Sequence, residues 1–349
     1  MERILLKRQN PVSWLVLLLV ITVQLGRAQQ PSADQNAPPV ISGPTPEDWS
    51  SLSLAGSQLV PEKPVFGEKA DFEHFTRVLL QVRWRKGDPI DLYIIRPKGV
   101  VKPPVVLYLY SYPSETGRFR NDDYCERITA GGFAAVGFVS ALTGQRYSMR
   151  PMKEWFVSEM QESLGSSVHD VQMILNFLST QNDLDTSKVG MFATGSGATI
   201  AILAAAVDPR IQAIDLLDPW GDWPTWMAKS SIIPENERPN FVKPEFLKKI
   251  ASLDPVQWLP QLRSQSIRIQ RITEDTVTPG AAEERIEAVA PPNVKIEHYP
   301  DSGQLYRASS NGRIFQWLKD RLHPADTKPA VNSAAIPQPN SHPTDPGHE

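Results

Sequence analysis

Residues 189–211 read VGMFATGSGATIAILAAAVDPRI. Residues 189–193 are a short apolar run suited to a strand buried on both faces. Residues 194–197 form a glycine-rich turn, and 196–207 supply small and aliphatic residues for a helix. What this segment can do depends on the residue at the apex of the turn. Ser196 at the apex would present a hydroxyl nucleophile, whereas Gly195 there would leave none.

The flanking pattern alternates. FTRVLLQVRW (75–84) and PIDLYIIRP (89–97), separated by RKGD, read as an antiparallel hairpin. VVLYLYSY (105–112) and FAAVGFVS (133–140) are further buried strands, joined by a polar helix over about 121–130 that stops at Gly131-Gly132. SVHDVQMILNFLSTQ places Val168, Val171, Ile174, Leu175 and Leu178 on one helical face. Downstream, IQAIDLLD, IRIQRIT and VKIEHYP supply three more strands, with helices around GAAEERIEAVA and GRIFQWLKDRL. Eight strands result. The order predicts an α/β fold, a mostly parallel doubly wound sheet with an antiparallel N-terminal hairpin and helices on both faces. No internal repeat is visible.

The ends differ from this core. In MERILLKRQNPVSWLVLLLVITVQLGRA (1–28), basic residues precede an apolar run, and small residues close it, the order of a secretory signal cleavable after Ala28. The alternative is an uncleaved membrane anchor, although the run is about a dozen residues where a span needs ~20. Cleavage would remove Arg3, Lys7, Arg8 and Arg27 against Glu2 and take the net charge from −3 to −6. A chain this acidic with no basic stripe is a poor nucleic-acid binder. Residues 29–64 are a proline-rich linker with a packing candidate at Trp49 and Leu52, and 324–349 lack the apolar side chains to offset their ordering entropy, so a disordered tail is expected. The single Cys125 excludes an intramolecular disulfide and suits a packed thiol on a helix.

With these elements in place, the sequence resembles the α/β-hydrolase superfamily, particularly its acetyl-esterase, dienelactone-hydrolase and prolyl-oligopeptidase-like branches, over residues 75–322. The resemblance implies a nucleophile in G-x-S-x-G on a strained strand-to-helix elbow. Lys188-Val189-Gly190 on the strand side and Asp208-Pro209-Arg210-Ile211 on the helix side align without a gap and put Gly195 at the nucleophile's position. The elbow is then Ala193-Thr194-Gly195-Ser196-Gly197, and Ser196 becomes the residue whose N–H serves the oxyanion hole. A shifted frame makes Ser196 the nucleophile, at the cost of an insertion, a matching deletion and a Thr at a crowded position.

The resemblance also implies a histidine after the last strand, in a phrase like P-G-x-G-H-x-F. Gln304, after Gly303, stands at that place, and its amide accepts no proton near neutral pH. None of His74, His169, His298, His323, His342 and His348 has the catalytic spacing. His298 lies within the last strand, and His169 opens a helix, where a surface or capping role is expected. Asp275, in RITEDTVTPGAAEERI, matches the acid position, and equally suits a turn before a helix. A hydrogen bond from Gln304 to Asp275 would keep the triad's shape without its chemistry. Tyr112, in YSYPSETGRF, is the candidate oxyanion donor.

Between the sixth and seventh strands, residues 218–262 form a cap insertion at the active-site edge that the resemblance implies. Trp220, Trp223 and Trp226 recur every three residues, as a stripe packing the cap over the sheet or as a platform for a small apolar, ester or glycan ligand. Asp218, Asp222, Glu274 and Asp275 could form an acidic metal pocket, but they lack metal-ligand spacing and read as solvated or capping carboxylates, and no cofactor motif is present. The expectation is an exported, secreted or periplasmic pseudo-hydrolase acting by binding. The alternatives are an active serine carboxylesterase, acyl hydrolase or peptidase using Ser196, and a structural module of an exported assembly.

Overall fold

The computed structural model describes residues 47–54, 57, 59–114, 116–147, 156–262, 265–310 and 313–322. The expected signal, most of the linker and the tail lie outside the described residues. The sheet has nine strands in the order β1-β2-β3-β5-β4-β6-β7-β8-β9. β1 (Val65–Asp71), β2 (Phe75–Val82) and β3 (Ile90–Pro97) run antiparallel to one another. β3 pairs antiparallel with β5 (Ala134–Phe138). β4 (Pro104–Leu109), β6 (Asp185–Thr194), β7 (Ile211–Leu217), β8 (Ser266–Ile272) and β9 (Lys295–Tyr299) continue in parallel from β5.

β1 corrects the expected count of eight. Nearly all of VFGEKAD is exposed, so the strand carries no hydrophobic alternation, and its register shifts between Phe66 and Glu68. It exists because β2 offers an open edge, not because its side chains seek a core.

β4 shows how the sheet serves two cores. Val105, Leu107 and Leu109 pack on one face and Val106 and Tyr108 on the other, all fully buried, as the two-residue period of a strand requires. On the second face lies α1 (Asp122–Thr129), N-capped by Asn121, whose side chain accepts from Tyr124 N–H (2.8 Å). Cys125 is buried there, its thiol donating to the Phe119 carbonyl (3.2 Å), and burial pushes that thiol's pKa up.

The first face carries α2 (Met160–Leu178) and α3 (Ser196–Val207). α2 starts seven residues before the stripe that announced it and is buried almost all round, because residues 47–54 lie across its outer side. A Cβ on Gly165 would sit 2.9 Å from the Trp49 carbonyl carbon, so this contact requires a glycine. His169, expected at a surface or cap, is instead mid-helix and buried between Glu47 and the Ser51 carbonyl (2.5 and 2.7 Å).

α4 (Trp223–Lys229), α5 (Arg238–Phe241), α6 (Pro244–Ile250) and α7 (Pro255–Trp258) build the insertion between β7 and β8. α8 (Gly280–Val289), α9 (Ser302–Ser310) and α10 (Arg313–Leu322) complete the chain order. Among the described residues, no helix is long and apolar enough to cross a membrane.

Candidate functional site

β6 ends at Thr194 and α3 begins at Ser196, so Gly195 makes the turn between them. Its φ of 52° and ψ of −119° lie where a side chain is strained against its own backbone. Its N–H donates to the Leu217 carbonyl (2.8 Å), and its carbonyl accepts from the N–H groups of Thr199 (3.1 Å) and Trp220 (3.3 Å). The strain is therefore held from both sides.

The space above the apex is filled. A Cβ on Gly195 would lie 2.7 Å from Ser111 Cβ and 3.0 Å from the Trp220 indole nitrogen, and would overlap the Ser111 hydroxyl. That hydroxyl accepts from Ser196 N–H (3.3 Å), while Tyr112 N–H donates to Ser196 Oγ (2.9 Å) and Ser111 N–H to Thr194 Oγ1 (2.9 Å). Ser196 is fully buried. Two amides at the mouth of the turn are thus answered by the protein's own hydroxyls. A Cβ on Gly197 would come 2.8 Å from the Leu109 carbonyl carbon, so α3 approaches β4 too closely for any larger residue.

Asp275 and Gln304 do not hydrogen-bond to each other. Asp275 accepts from Val277 N–H (3.1 Å) and Thr278 N–H (2.8 Å), which fixes its carboxylate in the turn before α8. Gln304 lies in the first turn of α9, where its N–H donates to Asp301 Oδ1 (2.8 Å) and its side-chain amide to Asp301 Oδ2 (3.4 Å). The expected contact fails because each side chain already has a local partner, backbone N–H groups for Asp275 and the Asp301 carboxylate for Gln304. His298 is exposed on β9 and meets Glu287 (3.0 Å), and His74 meets Glu126 (3.7 Å). His323, His342 and His348 lie outside the described residues.

Trp220, Trp223 and Trp226 are 1%, 1% and 0% exposed. Trp226 packs against Trp220 at 4.6 Å between centroids and edge-on to Trp223 at 6.0 Å. Their spacing marks cap packing, and no open platform is formed by them. Asp254, at the start of α7, ties the beginning of α4 to that helix by accepting from the N–H groups of Asp222 and Trp223, both at 3.0 Å.

Asp218, Asp275 and Glu283 bring three carboxylates within 4.8 Å of one another, so Asp218 is buried here and not solvated as expected, Asp222 and Glu274 stay out of the group, and Glu283 joins it with no signal in the sequence. Burial pushes Asp218 up to about 7, with the nearby Asp275 charge adding to the shift. Burial likewise pushes Glu283 up to about 8, although Arg271 beside it favours the charged form. The cluster therefore holds protons near neutrality. Arg271 supplies its balancing charge.

Neither a family model nor a curated protein sequence matches the chain. Solved structures do. Acetyl xylan esterase 1 from Thermoanaerobacterium sp. matches 81% of this chain and 96% of its own at 17% identity, with a TM-score of 0.60. An acetyl xylan esterase from Paenibacillus sp. matches 77% and 90% at 13% identity with a TM-score of 0.59. The acylaminoacyl peptidase of Pyrococcus horikoshii matches 72% of this chain and 40% of its own at 13% identity, with a TM-score of 0.53.

The chain has the α/β-hydrolase fold.

In an α/β-hydrolase fold, the apex after the strand carries the nucleophile, and the following N–H faces the oxyanion hole. Here the turn between β6 and α3 holds Gly195, Ser196 follows it, and Tyr112 N–H donates to the Ser196 hydroxyl. Reasoning from sequence placed the strand-to-helix turn where the structure has it, because the apolar strand and the small-residue helix on its flanks are legible. It missed Ser111, whose role depends on a loop 84 positions away in the chain meeting Gly195 and has no periodic signal.

Proposed function

We propose that this protein is an exported α/β-hydrolase-fold protein that acts by binding a small ligand and not by covalent catalysis. One observation carries the reading: the nucleophile's seat at Gly195 is empty of a hydroxyl and closed by Ser111 and Trp220. Supporting it, the place that the fold gives the histidine holds Gln304, engaged with Asp301, and Asp275 is committed to a turn. In a comparable serine hydrolase, losing either nucleophile or histidine costs about 10⁶ in kcat and leaves about 10³–10⁴ over water. Export rests on the basic, apolar and small-residue order of residues 1–28.

The names of the fold neighbours favour a second reading, a serine acyl hydrolase using Ser196. Its hydroxyl would have to leave a fully buried site and its bond with Tyr112 N–H. A fluorophosphonate probe separates the two. No labelling, together with no turnover of acetyl, aryl and peptide esters, is expected; stoichiometric modification of Ser196 would sink the binding reading.

A further inference from the structure

At the carboxyl ends of β4, β6 and β7 lies a cavity of about 890 Å³, within the range of small-molecule sites. It opens between α1 on one side and α9 and α10 on the other, next to the point where connections from the β4/β5 pair reverse direction towards β6. Open α/β sheets bind ligands at such switch points, outside the strand ends. The three-tryptophan cluster contributes nothing to it.

The walls have a definite chemistry. The floor is aromatic: Tyr110 lies 6.2 Å from Phe192, and Phe192 lies 5.8 Å from Phe315, between ring centroids. The Tyr110 and Tyr124 hydroxyls bond to each other, and burial pushes both pKa values up, so the pair stays neutral. Three cations line the rim, Arg118, Arg127 and Lys319, and among the described residues no Asp or Glu lines the cavity. The Arg118 guanidinium lies 3.4 Å above the centre of the Tyr110 ring. Among the described residues none of these three cations has a carboxylate partner. Two of the three acids of α1 are engaged elsewhere, Asp122 with Arg77 and Glu126 with His74, and the third, Asp123, does not line the cavity.

We infer that this cavity binds a small organic anion built on a flat ring, an aryl carboxylate, sulfonate or phosphate, with the ring on the Phe192 and Phe315 floor and the anionic group among Arg118, Arg127 and Lys319. Three cations with no carboxylate partner among the described residues, gathered around one concavity, attract an anion, and low-dielectric aromatic walls strengthen that attraction. A polyanion is disfavoured, since nucleic acid needs cations spread along a surface and this chain carries a net charge of −3. The inference names the ligand class for the binding role proposed above and rests on that role only for its purpose. Binding here uses neither Gly195 nor Ser196.

The test uses 8-anilinonaphthalene-1-sulfonate and its neutral counterpart N-phenyl-1-naphthylamine, which share rings and differ in the sulfonate. Calorimetric titration of the folded chain is expected to show the sulfonate binding at least about tenfold more tightly. Replacing the exposed cations, Arg127→Ala with Lys319→Ala, should remove most of that preference and leave the neutral compound's affinity and the melting temperature unchanged. Raising the salt concentration should weaken only the sulfonate. Equal binding of both compounds, binding of neither, or an unaltered preference in the double variant overturns the inference. Such a failure is distinct from failure of the non-catalytic reading, which the fluorophosphonate label alone reports.

Discussion

A side chain at position 195 meets two obstacles at once: a backbone held at φ 52°, and atoms of Ser111 and Trp220 already in its space. Gly195→Ser is expected to cost about 2–4 kcal/mol in urea unfolding, from backbone strain and overlap together. Adding Ser111→Gly should recover part of that loss, so the two changes are non-additive in a double-mutant cycle; simple additivity would show that Ser111 is not the obstacle. Burial at Asp218 acts differently, through protons. Between about pH 4 and 7 the folded chain holds a proton on Asp218 that the unfolded chain releases, so stability falls as pH rises through that window. Glu283 extends the same trend to about pH 8. Asp218→Asn, which keeps an oxygen to accept from Ile272 N–H and tolerates the residue's φ of 46°, should raise the melting temperature by a few degrees at pH 8 and leave it nearly unchanged at pH 4. A thermal series with the wild-type pH slope would contradict this. The turn at Gly195 and Ser196 was locatable from sequence because strand and helix flanks fix it. The carboxylate cluster was legible only in part: Asp218 and Asp275 stood out as candidates, but Glu283 joins them only when β7, the turn after β8 and α8 come together.

Elements were legible where burial imposes a period. β4 and β5 read as continuous apolar runs because both faces are covered, and α3 read as a helix because its small residues pack tightly. β1 escaped notice for the opposite reason, having no buried face to write into the sequence. α9 escaped because its residues were matched to a histidine-bearing loop, while Asp301 in fact caps it through Gln304 N–H. In the cap, the tryptophan spacing was visible but its anchor was not. Asp254 serves two segments, accepting from Trp223 N–H at the start of α4 and from Val256 N–H in α7. Asp254→Ala should cost about 2–4 kcal/mol by leaving buried amides unanswered. Amide exchange would rise first across α4 and α7; a uniform rise across the sheet would contradict that placement.

For the molecule as a whole, the described part of the N-terminal segment is tied on by charge. Glu47 contacts Arg85 and His169, and Arg85 and Arg146 share the fully buried Asp170. Burial opposes ionisation of Glu47, yet hydrogen bonds from His169 and Arg85 bring its pKa down to about 2. A lowered carboxyl adds stability above its ordinary range, which is lost as pH falls from about 4.5 towards 2. Glu47→Gln should cost about 1–2 kcal/mol at pH 7 and flatten the acid limb of the stability curve. Unchanged acid sensitivity in that variant would place the titration elsewhere. The closed seat at Gly195 also gives sequence change a direction. A substitution that supplies a hydroxyl there is met first as a folding defect, so selection sees the loss before any chemistry. On the function proposed above, a route back to hydrolysis must clear Ser111 before it refills position 195 and must still replace Gln304. On that reading ordered steps of this kind act as a ratchet, since the first change costs folding and returns no chemistry.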